Sequence, residues 1–164
     1  MRLQEGIFLD RIRVRINVQG IADGVGAEFT ARALDYYLNR KDQIRVFVSR
    51  PDKYEVAVND TGSGDWDFTV GVIDPLPSSL VKGADMIGKL RELPEKVFWI
   101  INMDNEGVNR RELRRFLGFM PDFSQEAVPR ELITRAEYNC VELEELCPLK
   151  GIEKLAEEIR KRTS

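Results

Sequence analysis

Ile12-Arg-Val-Arg-Ile-Asn-Val18, followed by Gln19-Gly-Ile-Ala-Asp-Gly-Val-Gly-Ala27 and Glu28-Phe-Thr-Ala-Arg-Ala-Leu-Asp-Tyr-Tyr-Leu38, is the stretch that decides the fold. Its first piece alternates apolar and polar residues with the period of a strand, and its last takes up helical spacing. Between them lies a glycine turn in which Gly20, Gly24 and Gly26 let the main chain curl. Strand, glycine turn and helix in that order build an anion cradle, because the curled backbone and the helix N-terminus aim their N–H groups at one point.

Holding a nucleoside triphosphate takes more than amides. A working loop adds a lysine for the terminal phosphates and a Ser or Thr hydroxyl for magnesium. Those places read Ala27 and Glu28 here, and Asp23 adds a second carboxylate inside the turn. Both acids would repel a polyphosphate, although a glutamate in a first helical turn also suits the helix dipole. The expectation is a nucleotide site in outline, without a bound cofactor.

At this point the chain resembles the MinD/ParA superfamily of P-loop ATPases, and more narrowly the CpaE/TadZ-type proteins of pilus assembly. The family loop reads Lys-Gly-Gly-x-Gly-Lys-Thr. Ala22-Asp-Gly-Val-Gly-Ala-Glu28 falls on it with both lysines replaced by alanine and the threonine by glutamate. The resemblance continues in order along the chain. Asp67-Phe-Thr-Val-Gly-Val-Ile-Asp74 is similar to the strand that ends in the Walker B aspartate, and Pro75-Leu-Pro-Ser-Ser79 stands where the family runs its switch segment. Lys96-Val-Phe-Trp-Ile-Ile-Asn102 resembles the later strand whose terminal asparagine faces the base. Ala127-Val-Pro-Arg-Glu131, with Pro129, resembles the segment lining the base's other side. The resemblance therefore implies a vestigial nucleotide site at Gly20, Asp23, Gly24, Gly26, Ala27, Glu28, Asp74, Asn102 and Pro129. Asn102 and Asp104 also approach the base-reading Asn-Lys-x-Asp pattern of GTPases, one residue short in spacing.

A chain of 164 residues with 43% hydrophobic content suits one domain spanning 1–164, short for a complete ATPase of this superfamily. The shortening is expected between Arg45-Val-Phe-Val-Ser49 and Tyr54-Glu-Val-Ala-Val58, where no helix fits. Alternating strands and helices give an α/β fold, a mostly parallel sheet with helices on its faces. A net charge of −3 argues against a protein that coats nucleic acid, which needs a basic face. With no histidine, Ser-His and Cys-His nucleophiles and ordinary zinc sites drop out, and Cys140 with Cys147 forms no metal or disulfide framework. Nothing in Met1–Asp10, where Gly6–Leu9 reads as a possible extra strand, resembles a targeting segment. No apolar run reaches membrane-spanning length, so a cytoplasmic address is expected.

Elsewhere the pattern places a turn-rich loop at Asn59–Asp65 and a helix after Ser78 or Ser79 with a stripe of Leu80, Ala84, Ile87, Leu90 and Leu93. A short helix follows at Asn109–Leu117, closed by Gly118, and further helices at Ile133–Asn139 and Gly151–Arg162. Two basic sets stand out. Arg11, Arg13 and Arg15 share one face of the first strand, and must meet solvent or be covered by carboxylates. Arg110, Arg111, Arg114 and Arg115 form a row on a short helix, which either is a solvated face or grips nucleic acid, anionic lipid or an acidic partner. No aromatic residues interleave there to stack bases. The last helix mixes Glu153, Glu157 and Glu158 with its cations, which suits packing on the sheet rather than a membrane surface.

The family resemblance implies dimerisation and protein partners, with a role in localising a pilus or secretion apparatus, and the eroded loop implies a scaffold rather than an enzyme. The rival reading is a live ATPase partitioning DNA or a cell-division component, using ATP and magnesium, with Lys82 or Lys53 substituting for the lost lysines.

Overall fold

The computed structural model describes residues 14–38, 44–49, 66–105 and 107–163. The chain runs β1 (Val14–Gly20), α1 (Ala27–Leu38), β2 (Ile44–Ser49), β3 (Phe68–Ile73), α2 (Pro77–Arg91) and β4 (Lys96–Asp104). It continues α3 (Arg110–Leu117), β5 (Phe123–Glu126), α4 (Arg130–Tyr138), α5 (Leu143–Leu146) and α6 (Lys150–Thr163). The five strands form one sheet in the order β2-β1-β3-β4-β5, every pair parallel. This is the α/β sheet expected from the sequence. The candidate strands at Gly6–Leu9 and Tyr54–Val58, the loop at Asn59–Asp65, and Arg11, Arg13 and Lys53 lie outside the described residues.

Parallel strands need crossovers, and the sequence supplies a helix for three of them. Because β1 to β2 steps one way across the sheet and β3 to β4 to β5 the other, right-handed connections put α1 on one face and α2 and α3 on the opposite one. The register confirms a two-faced core. Val18, Val70 and Phe98 stand side by side, and the Arg162 guanidinium of α6 lies 5.2 Å over the Phe98 ring, so that face belongs to α1 and α6. Gln19, Gly71 and Trp99 are neighbours on the other side. Gly71 has to be glycine: a Cβ there would sit 2.6 Å from the Trp99 ring. Trp99 in turn meets Phe119, which carries the Arg91 guanidinium of α2 at 5.2 Å.

Helix ends follow local chemistry. Asn109 caps α3 by accepting from the Glu112 N–H at 3.1 Å, and Gly118 closes it at φ 79°. α2 departs from the expected cap: Pro77 occupies its first position and Ser78 and Ser79 lie inside it. Its buried stripe is Leu80, Gly83, Met86, Ile87 and Leu90, while Ala84 faces solvent. The stripe is turned because α2 must seat Gly83 directly against Ile21, where a Cβ would come within 2.7 Å. At α6, the Gln125 amide oxygen accepts from Gly151 N–H at 3.0 Å and Ile152 N–H at 3.2 Å, tying the helix to β5. All four apolar residues on the inner side of α6, Ile152, Leu155, Ala156 and Ile159, are buried against the sheet.

Candidate functional site

Because every strand runs the same way, the segments leaving β1, β3, β4 and β5 gather at one edge of the sheet, the usual ligand edge of such folds. The glycine loop forms its centre. The Ile21 N–H donates to the Val72 carbonyl at 3.2 Å, which extends the β1–β3 pairing into the loop. Gly24 and Gly26 then take φ of 77° and 89°, the left-handed region that favours glycine, and α1 starts at Ala27. Among the described residues, no main-chain carbonyl outside a helix or strand accepts from the N–H groups of Asp23 to Gly26.

What the loop lacks is charge. Ala27 offers a methyl group, and Glu28 and Asp23 are exposed carboxylates at the mouth of the loop. These residues do not fit a magnesium triphosphate: no described side chain of the loop carries a cation, and none carries a hydroxyl at the metal position. Lys82 stands exposed on α2. Asp74 follows β3, is 5% exposed, and accepts from the Leu76 N–H at 3.0 Å, so one carboxylate oxygen organises the turn into α2.

Asn102 has a different setting from the one the resemblance implies. β4 runs on past it to Asp104, and the Asn102 amide donates to the Val25 carbonyl at 3.0 Å inside the buried core. A Cβ on Gly26 would lie 1.9 Å from that same amide nitrogen. Asn102 thus bolts the glycine loop to β4 and leaves Gly26 no room for a side chain. The bolt is helped by an irregularity in the β4–β5 register between Ile101 and Asp104, with Met103 held at φ 57°. Sequence reading gave no sign of this kink, since Met carries no turn signal.

Past the kink, Asp104 is 5% exposed and pairs with Arg110, while its Oδ1 has no hydrogen-bond partner. Asp104, Asn105, Asn109, Arg110 and Glu126 line an open cleft of about 720 Å³ beside the glycine loop's edge of the sheet. Pro129 stands at the N-cap of α4, exposed, just after this cleft. The structure thus brings Gly20, Asp23, Gly24, Gly26, Ala27, Glu28, Asp74, Asn102 and Pro129 to one edge. All four arginines of the row are exposed, Arg110 while turned to Asp104 and Arg115 within 3.8 Å of Glu112.

Arg15 lies elsewhere, near the start of β1. It is half-buried and packs on two aromatic rings. Its guanidinium sits 5.2 Å from the Phe47 ring and 5.0 Å from the Trp66 ring, and the Arg15 main-chain N–H donates to the Asp67 carboxylate at 2.8 Å. A planar cation can be half-buried this way because ring faces carry partial negative charge. Among the described residues no cluster of acidic or cysteine side chains could hold a metal, and no helix is long and apolar enough to cross a membrane.

The sequence matches no protein-family model and no curated protein. In structure the chain is similar to a ParA family ATPase from Chlorobium tepidum TLS, with a TM-score of 0.67 and 10% identity over 89% of this chain and 98% of that one. It is also similar to the septum site-determining protein MinD complexed with Mg-ADP from Pyrococcus horikoshii OT3, with a TM-score of 0.50 and 9% identity over 96% of this chain and 87% of that one. At such identities the likeness establishes the fold, a P-loop NTPase-like α/β sheet of the ParA/MinD kind. Function has to be argued from the site.

Proposed function

We propose that this protein is a non-catalytic relative of the ParA/MinD ATPases, a cytoplasmic positioning or assembly scaffold that acts through protein partners, including a second copy of itself. In keeping with the CpaE/TadZ resemblance, its task would be to localise a type IV or Flp-type pilus or a secretion apparatus. The observation that carries the reading is the glycine loop, which keeps positive φ angles at Gly24 and Gly26 yet presents Ala27, Glu28 and Asp23 where cations and a hydroxyl are required.

Thermal denaturation with and without magnesium-ATP tests it. A ligand at a hundredfold its dissociation constant adds about 2.7 kcal/mol, or about 5–10 °C for a domain of this size. The expected shift is none. A shift of that size, together with ATP turnover abolished by changing Asp74, would support the live ATPase instead.

A further inference from the structure

Where β4 and β5 end, two carboxylates stand side by side. Asp104 and Glu126 are register partners on adjacent parallel strands, and both line the open cleft of about 720 Å³ at the ligand edge of the sheet. Like charges so placed repel. Arg110 relieves one of them by pairing with Asp104 Oδ2. Asp104 Oδ1 is left buried without a hydrogen-bond partner, and Glu126 is exposed and in no ion pair among the described residues.

The side-chain amide oxygens on the cleft wall are already engaged. Asn105 Oδ1 accepts from the Gly107 N–H at 2.8 Å and Asn109 Oδ1 from the Glu112 N–H at 3.1 Å. The side-chain acceptors left open are carboxylate oxygens, next to the apolar walls of Val108 and Ala127. That set calls for a cation with N–H donors. A carboxylate with one free oxygen cannot meet the two-pronged fork of a guanidinium, whereas an ammonium is a point charge that one oxygen satisfies. No aromatic side chain lines the cleft, so a flat base has nothing to stack on. Among the described residues no group of acids could hold a metal ion.

We infer that this cleft binds a primary alkylammonium, its N–H groups donated to Asp104 Oδ1 and the Glu126 carboxylate and its methylene stem laid against Val108 and Ala127. The amine enters as the Arg110 side chain, 54% exposed, turns aside, a motion that exposed side chains make within nanoseconds. It brings the charge that the paired acids lack, and it gives a buried acceptor its donor. A free amine and a partner's lysine present the same group. The glycine loop takes no part, and the scaffold reading stands or falls separately.

Titrating the isotope-labelled protein with n-butylammonium chloride, and separately with Nα-acetyl-lysine methylamide, tests the inference by NMR. The amide signals of Asp104, Glu126 and Ala127 move and saturate, while tetramethylammonium, which has the charge without the N–H donors, leaves them in place. Asp104→Asn weakens binding roughly tenfold or more. Glu126→Gln, at an exposed position where the fold is not at stake, weakens it about threefold. Arg110→Gln strengthens it, because both oxygens of Asp104 are then open, an effect that a purely structural pair would not produce. Equal binding of the two amines assigns the cleft to free amines; binding of the blocked lysine alone assigns it to a partner's lysine. Signals unmoved by either amine, equal movement with tetramethylammonium, or affinities that none of the three substitutions alters overturn the inference.

Discussion

At the scale of single residues, the informative contact is the one between Asn102 and the Val25 carbonyl. Val25 is 1% exposed, so removing the amide leaves its carbonyl buried and unpaired. Such an orphan costs about 1–3 kcal/mol. Asn102→Ala should therefore lower the unfolding free energy by that amount, seen as a lower urea midpoint at unchanged slope, and an unchanged midpoint would mean the contact contributes nothing. The glycines on the other side of the bolt were legible from sequence because positive φ has a residue signature. Asn102 was legible only as a strand-end polar residue. Its role depends on which loop lies opposite, and linear sequence does not carry that distance. The same limit applies to Arg15: alternation placed it on a face, but the two rings that receive it come from β2 and from Trp66.

At the scale of elements, periodicity served the long apolar pieces best. β1, β3, β4, α2 and α6 follow from their spacing. The edge strand β5, Phe123-Ser-Gln-Glu126, does not, because four residues with one aromatic and three polar side chains give neither a strand nor a helix period. Its place is fixed instead by Gln125, whose oxygen holds the first turn of α6, and by Gly151, whose Cβ position lies 2.0 Å from the Ser124 carbonyl oxygen. Helices α1 and α6 are joined by Tyr37, whose hydroxyl accepts from the Leu149 N–H at 2.8 Å. Burial raises the Tyr37 pKa above 10.0; the bond from Leu149 acts the other way. Unfolded, Tyr37 loses its proton near 10.0; folded, it holds the proton to higher pH. The folded state binds more protons in that window, so this contribution is complete below pH 10 and is lost as pH rises through the folded value. Urea midpoints taken across that range should fall less steeply in Tyr37→Phe than in the wild type.

At the scale of the whole molecule, fold and site answer to different parts of the sequence. The sheet order, its two covered faces and the gathering of loops at one edge come from the distribution of apolar residues, and they persist at 10% identity to a ParA family ATPase. The chemistry of the loop comes from three positions that have no bearing on that distribution. It should be separable by mutation. Ala27→Lys with Glu28→Thr restores a cation and a metal hydroxyl to a loop that already holds Gly24 and Gly26 at positive φ. The doubly changed protein should gain a thermal shift with magnesium-ATP that the wild type lacks. If it gains none, the loop itself is misshapen, and the loss of charge is not what separates this chain from a nucleotide binder.

The fastening of α6 and the α4–α5 turn to α1 bears on how the molecule is made. Tyr37 meets Leu149 across 112 positions and Arg32 meets Glu142 across 110, so the layer covering Val18, Val70 and Phe98 is assembled from both halves of the chain. Loop-closure entropy must be overcome before these contacts stabilise anything, which makes acquisition of the native state slow compared with a helical bundle. A nascent chain that has not yet delivered Lys150–Thr163 leaves an oily strip of parallel sheet bare, the kind of surface through which unfinished chains aggregate.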